Sequence, residues 1–275
     1  MRKLFIALLS ALLCLLLSVS ALAADGLSTF QETQTYQPGM FSDVKAGSWY
    51  EAGVRAVYTR GIMNGTGGKA FAPSQTITWA QAAAIAARIH AAVLEAETVL
   101  HSRFPALHPR LPANLTFVTS EELFDMYPGL APEEREQAFV KKHRAVFVKH
   151  IGWPLGDGRP HGVRAPDYDD WSLNGDLLYY HPELDCCLEV SSMGIRVDAS
   201  SMFRQLNAAD ARARLDLPFH REVMEEKLPL TIGGGIGQSR LCMLLLGKAH
   251  IGEVQASVWD PETLGACQEA GVVLL

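Results

Sequence analysis

The sequence predicts an α+β fold, an antiparallel sheet flanked by helices, with a small all-α module ahead of it. Two observations carry this. From Thr116 onward, strand-like stretches (AVFVKHIG, DLLYYHPEL, CCLEVSSMGIRVD, VQASVW) are interspersed with helix-like ones (APEEREQAFVKKHR, MFRQLNAADARARL, FHREVMEEK, QSRLCMLLLGK). Ahead of them, residues 40–93 read as helix, glycine turn and helix, with Trp49, Val54, Val57 and Ile62 recurring near helical spacing.

The elements follow in order. Arg2 and Lys3, the apolar run Leu4–Leu17 and the small residues ALA at 21–23 predict a secretory signal peptide over 1–23. The run is short for a membrane span. Leu13 before Cys14 argues against a lipoprotein cleavage site. Residues 24–39 are polar and turn-rich, a linker. The helical module spans 40–95. Its NGTGG loop suits positive φ, and Thr76 or Thr78 can cap an Ala-rich second helix. Two short helices bury little core alone, so such units usually pack against copies of themselves. Residues 96–113 form a proline-rich seam, in which His101 and His108 are simple loop residues. The α+β part spans 114–275. Its first helix is capped by Thr119 or Ser120 ahead of Glu121 and Glu122, and APEEREQAFVKKHR runs acidic to basic, as the helix dipole favours.

Composition narrows the function. The 275 residues carry a formal charge of −6 and no dense Lys/Arg block, which argues against a nucleic-acid partner. Beyond the signal peptide the cysteines are Cys186, Cys187, Cys242 and Cys267, with no CxxC and no metal-ligand spacing. Adjacent Cys186 and Cys187 point to opposite faces of a strand. That usage suits a reduced compartment. The N-terminus therefore predicts export to the cell surface, and the cysteines a cytoplasmic setting.

Four stretches carry chemistry. RAPDYDDW packs Arg164 with Asp167, Asp169 and Asp170, and LNGD adds Asp176. Carboxylates this close repel unless a cation or donors lie between them. Either an Asx-rich turn satisfies its own backbone here, the commoner case, or Mg²⁺ arrives with a nucleotide's phosphates. In LEVSSMGIRVD, alternation puts Glu189 and Ser191 on one face and Ser192 on the other, with Gly194 a possible bulge. Glu189 in an apolar strand needs a partner: a ligand, a metal or a buried arginine. TIGGGIGQSR is neither a P-loop nor GxGxxG. It reads as a loop whose glycines let a ligand approach the backbone, opening a helix whose first turn carries Arg240. An adenylate or triphosphate fits such a site.

Two resemblances follow. Phe41–Val44 (FxDV), Trp49–Tyr50, Gly61–Gly65, Phe71–Pro73 and Ile77–Gln81 resemble an S-layer homology module. This implies binding of a cell-wall polymer, although Trp79 stands where that family usually has an arginine. From about Asn114 onward, FVTSEEL, YPGLAPEERE, DGRPHGVRAPDYDDW, LNGDLL, EVSSMGIRVDA, TIGGGIGQSRLCMLLL and HIGEVQASVW resemble the C-terminal half of ammonia-dependent asparagine synthetase, a family built on the class II aminoacyl-tRNA synthetase core.

The resemblance implies ATP-dependent ligation of ammonia to L-aspartate through β-aspartyl-AMP, with ATP and Mg²⁺ as cofactors. It assigns Arg240 to the ATP phosphates, and Glu189 and Asp176 to Mg²⁺–ATP. It places Arg164, Asp169 and Ser192 at the aspartate. It sets Arg196 beside the phosphates, with Ser191, Gly233, Gly234 and Gly235 on the nucleotide side. Arg164, Asp169, Glu189 and Arg240 would carry catalysis, mostly by charge placement. The family is homodimeric, and its dimer helix and further substrate contacts lie in an N-terminal half with no counterpart in these motifs. Ser172 also runs straight into Leu173 where the family has an insertion, which is expected to shift Asp169 relative to Asp176. Weak or no synthetase activity is therefore expected of this polypeptide alone. The alternatives are an exported, wall-associated protein anchored by the S-layer module, and a non-functional fusion.

Overall fold

The computed structural model describes residues 32–48, 50–72, 79–107 and 111–275. The signal peptide expected over 1–23, Trp49, the capping Thr76 and Thr78, and His108 lie outside the described residues. Two compact units divide between Phe71 and Ala72, inside the 40–95 span.

The first unit is built around helix α1 (Glu51–Thr59). Tyr36, Phe41, Val44, Val54 and Phe71 bury their side chains together. The Phe41 ring lies edge-on to Tyr58 and Phe71, each with centroids 5.2 Å away, the geometry that aromatic quadrupoles favour. In the glycine loop, Gly65 has φ +80°, and a Cβ there would fall 2.6 Å from the carbonyl oxygen of Ala70. Glycine alone fits that position. The Asp43 carboxylate accepts the Phe71 N–H at 2.8 Å and closes the loop.

The second unit opens with the long helix α2 (Trp79–Arg103). Strand β1 (Thr116–Thr119) leads into α3 (Ser120–Met126), α4 (Pro132–His143) and β2 (Ala145–Lys149). Strands β3 (Asp169–His181) and β4 (Cys186–Arg196) form a long hairpin, followed by α5 (Ala199–Ala208) and α6 (Pro218–Met224). Then come β5 (Ile232–Ile236), α7 (Gln238–Leu245) and α8 (Pro261–Glu269). The strands lie in the order β1-β2-β3-β4-β5. The expected α+β architecture is present, with one refinement: β1 pairs with β2 in parallel, so the sheet is mixed. Helices α3 and α4 intervene between those strands, and such a crossover returns the chain in the same direction.

The capping signal reads through to the structure. Thr119 Oγ1 accepts the Glu122 N–H at 3.0 Å, and the Glu122 carboxylate accepts the Thr119 N–H at 2.7 Å. Three expectations fail. His101, read as a loop residue, lies inside helix α2, which runs on to Arg103. VQASVW is not a strand. Gln255, Ala256, Ser257 and Val258 are all exposed, so no buried set draws the segment onto the sheet. IGGGI, read as a loop, is strand β5, paired antiparallel with β4 from Ile232↔Ile195 to Ile236↔Ser191. The ladder needs only backbone groups, and β4 supplies them.

Helices α3 and α4 cover one sheet face over β1 to β3, burying Leu123, Phe139 and Val140 against Val118, Val146, Val148 and Leu178. Helix α2 reaches the other face. His90 Nε2 lies 3.1 Å from the Pro112 carbonyl and Nδ1 2.8 Å from the Tyr179 hydroxyl. A carbonyl only accepts, so Nε2 carries the proton and Tyr179 donates to Nδ1. Burial, the largest influence, holds His90 below its ordinary range. Among the described residues no helix is long and apolar enough to cross a membrane.

Candidate active site

A bulge decides which side chains meet. Asp176 lies opposite Ser192 and Leu177 opposite Ser191, but Leu178 is opposite Glu189, leaving Val190 as the extra residue. Strict alternation put Glu189 with Ser191. The bulge instead puts Glu189 and Ser192 on the face of Asp176, and sends Ser191, only 2% exposed, to the other with Leu177. A second irregularity flanks Gly194. Asp169 faces Arg196 and Asn174 faces Gly194, so β3 takes five residue steps (169 to 174) where β4 takes two (196 to 194). Asp169 and Asp176 thus both stay registered to β4 across the join of Ser172 and Leu173.

Three arginines meet three carboxylates. Arg164 donates to the Asp176 carboxylate through a short contact, and Arg196 donates to Asp169 likewise. Arg196 also lies over the Tyr168 ring, 3.8 Å from its centroid, and donates to the Tyr168 hydroxyl at 2.9 Å. Arg240 is 3.8 Å from the Glu189 carboxylate and donates to the Glu189 carbonyl at 3.1 Å. This last pair is the loosest and about half exposed on both sides. Of the three, Arg240 can turn most cheaply toward an incoming anion.

The glycines of β5 make room rather than turns. A Cβ on Gly233 would fall 1.9 Å from Arg196 Nη2, and one on Gly234 2.8 Å from Met193 Cβ. A Cβ on Gly235 would meet nothing within 4 Å. Gly237 precedes α7, whose first turn holds Arg240 beside free helix N–H groups. A cleft of about 380 Å³ results, lined by Asp169, Glu189, Ser192, Arg196, Gly234, Gly235 and Arg240, together with Tyr168, Val190, Ser191 and Gly237.

The electrostatics grade the carboxylates. Burial pushes Asp176 up to about 6, against the pull of Arg164 and the Ser192 hydroxyl, with Glu189 and Glu136 adding repulsion. Burial also raises Asp169, opposed by Arg196 and then Arg164. Asp167 is different. Burial acts to raise it, but hydrogen bonds from His220 and Arg214, both 2.9 Å, prevail and hold it below its ordinary range. Of the PDYDD carboxylates, Asp169 alone lines the cleft. Asp170 is buried and accepts the Ser172 N–H at 2.8 Å, as in the Asx-turn reading. Arg164 and Asp176 sit behind Ser192, and Gly233 lies under Arg196. The sequence reading passed over three cleft residues, Val190, Gly237 and, with its aromatic side chain, Tyr168. The only signal at Tyr168 was an aromatic ring set between acids.

Among the described residues no group of three His, Cys, Asp or Glu side chains could hold a metal ion. Asp176 is taken up by Arg164, so Glu189, with its side chain 43% exposed, is the better-placed oxygen donor. That donor set fits a Mg²⁺ carried in by phosphates, not a metal in a protein cage.

Residues 74–271 match the sequence model described as aspartate-ammonia ligase, and residues 41–83 match the S-layer homology domain. The chain is 55% identical over 189 residues to the aspartate–ammonia ligase of Lactobacillus johnsonii, covering 68% of this chain and 56% of that protein. To the Clostridium perfringens ligase it is 53% identical over 179 residues, 65% of this chain and 53% of that protein. It therefore spans about half the length of these relatives. Among solved structures it is similar to an aspartyl tRNA synthetase from Entamoeba histolytica, with TM-score 0.47, 15% identity, and coverage of 69% of this chain and 42% of that one.

Proposed function

We propose that this chain, which belongs to the aspartate–ammonia ligase family, binds Mg²⁺–ATP in the β4–β5 cleft and serves the ATP-dependent ligation of ammonia to L-aspartate. In that reaction an oxygen of the aspartate β-carboxylate attacks the α-phosphorus and diphosphate leaves. Ammonia then attacks the acyl carbon of β-aspartyl-AMP, its nitrogen loses a proton, and AMP leaves with the C–O bond electrons. Arg240 turns from Glu189 to the phosphates, joined by the N–H groups that open α7. Arg164, held by Asp176, places positive charge beside Asp169 at the aspartate end, and Arg196, held by Asp169 and Tyr168, lies between that end and the phosphates. Ser192 offers a hydroxyl at the aspartate end. Mg²⁺, when bound with the nucleotide, would lie at Glu189, with Asp176 behind it, and neutralise phosphate charge. Catalysis is then charge placement, with no protein nucleophile.

The observation that supports this best is the glycine strand lying beside three carboxylate–arginine pairs, the outermost of them loose. Isothermal titration of the full chain with Mg²⁺–ATP is the test. Saturable binding that Arg240→Ala abolishes is expected, and no binding by the parent chain would sink the reading. Asparagine formation from aspartate, ammonia and Mg²⁺–ATP is a separate measurement, expected to be weak or absent for this polypeptide alone.

The S-layer homology match supports a second reading, association with the cell surface through a wall polymer. Co-sedimentation with cell-wall sacculi tests it, and a chain left wholly in the supernatant would exclude it. Homodimer formation, as in the family, also stands as a proposal, read out by sedimentation velocity.

A further inference from the structure

Where β3 leaves the register of β4, residues 170–173 lack strand partners on that side. Backbone groups stranded inside a protein are costly unless something else pairs with them. Two side chains do this for the N–H groups: Asp170 accepts from Ser172 at 2.8 Å, and Gln205 accepts from Trp171. Gln205, on α5, has no exposed surface. Its Oε1 accepts the Trp171 N–H at 2.8 Å. Its Nε2 donates to the Pro166 carbonyl at 3.0 Å and to the Asp169 carbonyl at 2.9 Å. The reverse amide orientation would set oxygen against two carbonyls and NH₂ against an N–H, so the partners fix it.

These three bonds bracket Asp169 on both sides. The Asp169 side chain lies over Gly194, where a Cβ would come 2.5 Å from its Cγ, and reaches Arg196. Arg196 in turn lies over Gly233 and lines the cleft. The same segment is tied a second time, at Asp167, by His220 and Arg214. Both ties come from the chain that follows β4, Gln205 from α5 and His220 from α6. Of the two, Gln205 acts on the backbone of Asp169 itself.

We infer that Gln205 is a positioning residue for the cleft: its amide replaces part of the missing ladder and thereby aims Asp169 at Arg196, setting the charge at the end of the cleft away from Arg240. This deepens the proposed function and rests on it only where ligands are concerned.

Two variants of the full chain separate the roles of the amide. Gln205→Met keeps the bulk and removes all three bonds, whereas Gln205→Glu keeps the acceptor for Trp171 and retains at most one donor, the O–H of a buried acid, for the two carbonyls. Hydrogen exchange by NMR at the Trp171 amide and at the Arg196 Nη–H groups, which bond Asp169 and Tyr168, gives the readout. In Gln205→Met both sites should exchange about tenfold faster or more, with the Val146 and Leu178 amides within about twofold of the parent. In Gln205→Glu the Arg196 site alone should lose protection. A uniform change across the sheet, or an unchanged Arg196 in the glutamate variant, overturns the inference. If Gln205→Met does not fold, Gln205→Glu decides alone. In a second arm, Mg²⁺–ATP and then L-aspartate are titrated. Gln205→Glu should weaken L-aspartate binding about tenfold and Mg²⁺–ATP binding less than about twofold. Equal losses count against the inference. A parent chain that binds neither ligand counts against the proposed function, while the exchange data still decide Gln205.

Discussion

Arg196 occupies the space a side chain on Gly233 would need: a Cβ there would fall 1.9 Å from its Nη2. The glycine is thus part of how the arginine is held over Tyr168 and against Asp169. Gly233→Ala should displace either β5 or Arg196 and destabilise the chain by about 1–3 kcal/mol, as overpacking does. Gly235→Ala is the control, since its Cβ would meet open space. Its thermal unfolding should shift by no more than about 0.5 kcal/mol equivalent. Equal effects at the two positions would contradict the steric account.

Arg240 is about half exposed and 3.8 Å from Glu189. Such a pair contributes at most about 1 kcal/mol to stability. Arg240→Ala should therefore leave unfolding by urea nearly unchanged. Its contact with phosphate would be charge-assisted, so Mg²⁺–ATP affinity should fall by about tenfold or more. A variant that unfolds readily, or binds as the parent does, would argue against this division of roles.

Asp176 gives a pH signature. Its carboxyl is held at about 6, above the ordinary 3.8, so the folded state favours the protonated acid. That contribution is fully present below about pH 4 and is lost as pH rises through about 6. Asp176→Asn cannot titrate. Between about pH 4 and 7 its stability should gain on the parent's by up to about 3 kcal/mol, whatever the two values are at the start. Parallel stability curves would show that Asp176 titrates normally in the fold.

The Tyr179 hydroxyl donates to His90 Nδ1 inside the second unit. Removing it leaves a buried acceptor unpaired. Tyr179→Phe should cost about 1–2 kcal/mol by chemical denaturation. An unchanged midpoint would mean that Nδ1 finds another donor.

Much of this was legible in the sequence, and what was not has a common cause. The capping box at Thr119–Glu122 and the helix of Pro132–His143 depend on neighbours three or four residues away, and such signals survive in one dimension. The candidate residues were singled out by type: acids, arginines and glycines in short stretches. Their pairing was not readable. That Arg164 meets Asp176 and Arg196 meets Asp169 follows from the register of β3 on β4, which two irregularities shift. Strand β5 was hidden because glycine carries no side-chain pattern, and its place on β4 is set by backbone alone. Gln205 carries no local signal at all. Its role exists only because residues 170–173 leave the ladder near it.

Val190 carries a consequence of another kind. Side chains on a strand alternate, so the face a residue occupies depends on whether an odd or an even count separates it from its neighbour. Counting Val190, Glu189 stands three residues from Ser192 and yet shares its face. A deletion of that one apolar residue would change no charged group in the chain. It would let the ladder close evenly: Glu189 opposite Leu178 and Ser191 opposite Leu177, with Glu189 and Ser192, then two apart, still on one face. With the hairpin end fixed, every residue of β4 from Ser191 to Arg196 would keep its partner and its face. The chemistry of this cleft is thus stored partly as parity: Glu189 and Ser192 share a face across an odd count because Val190 is taken out of the ladder.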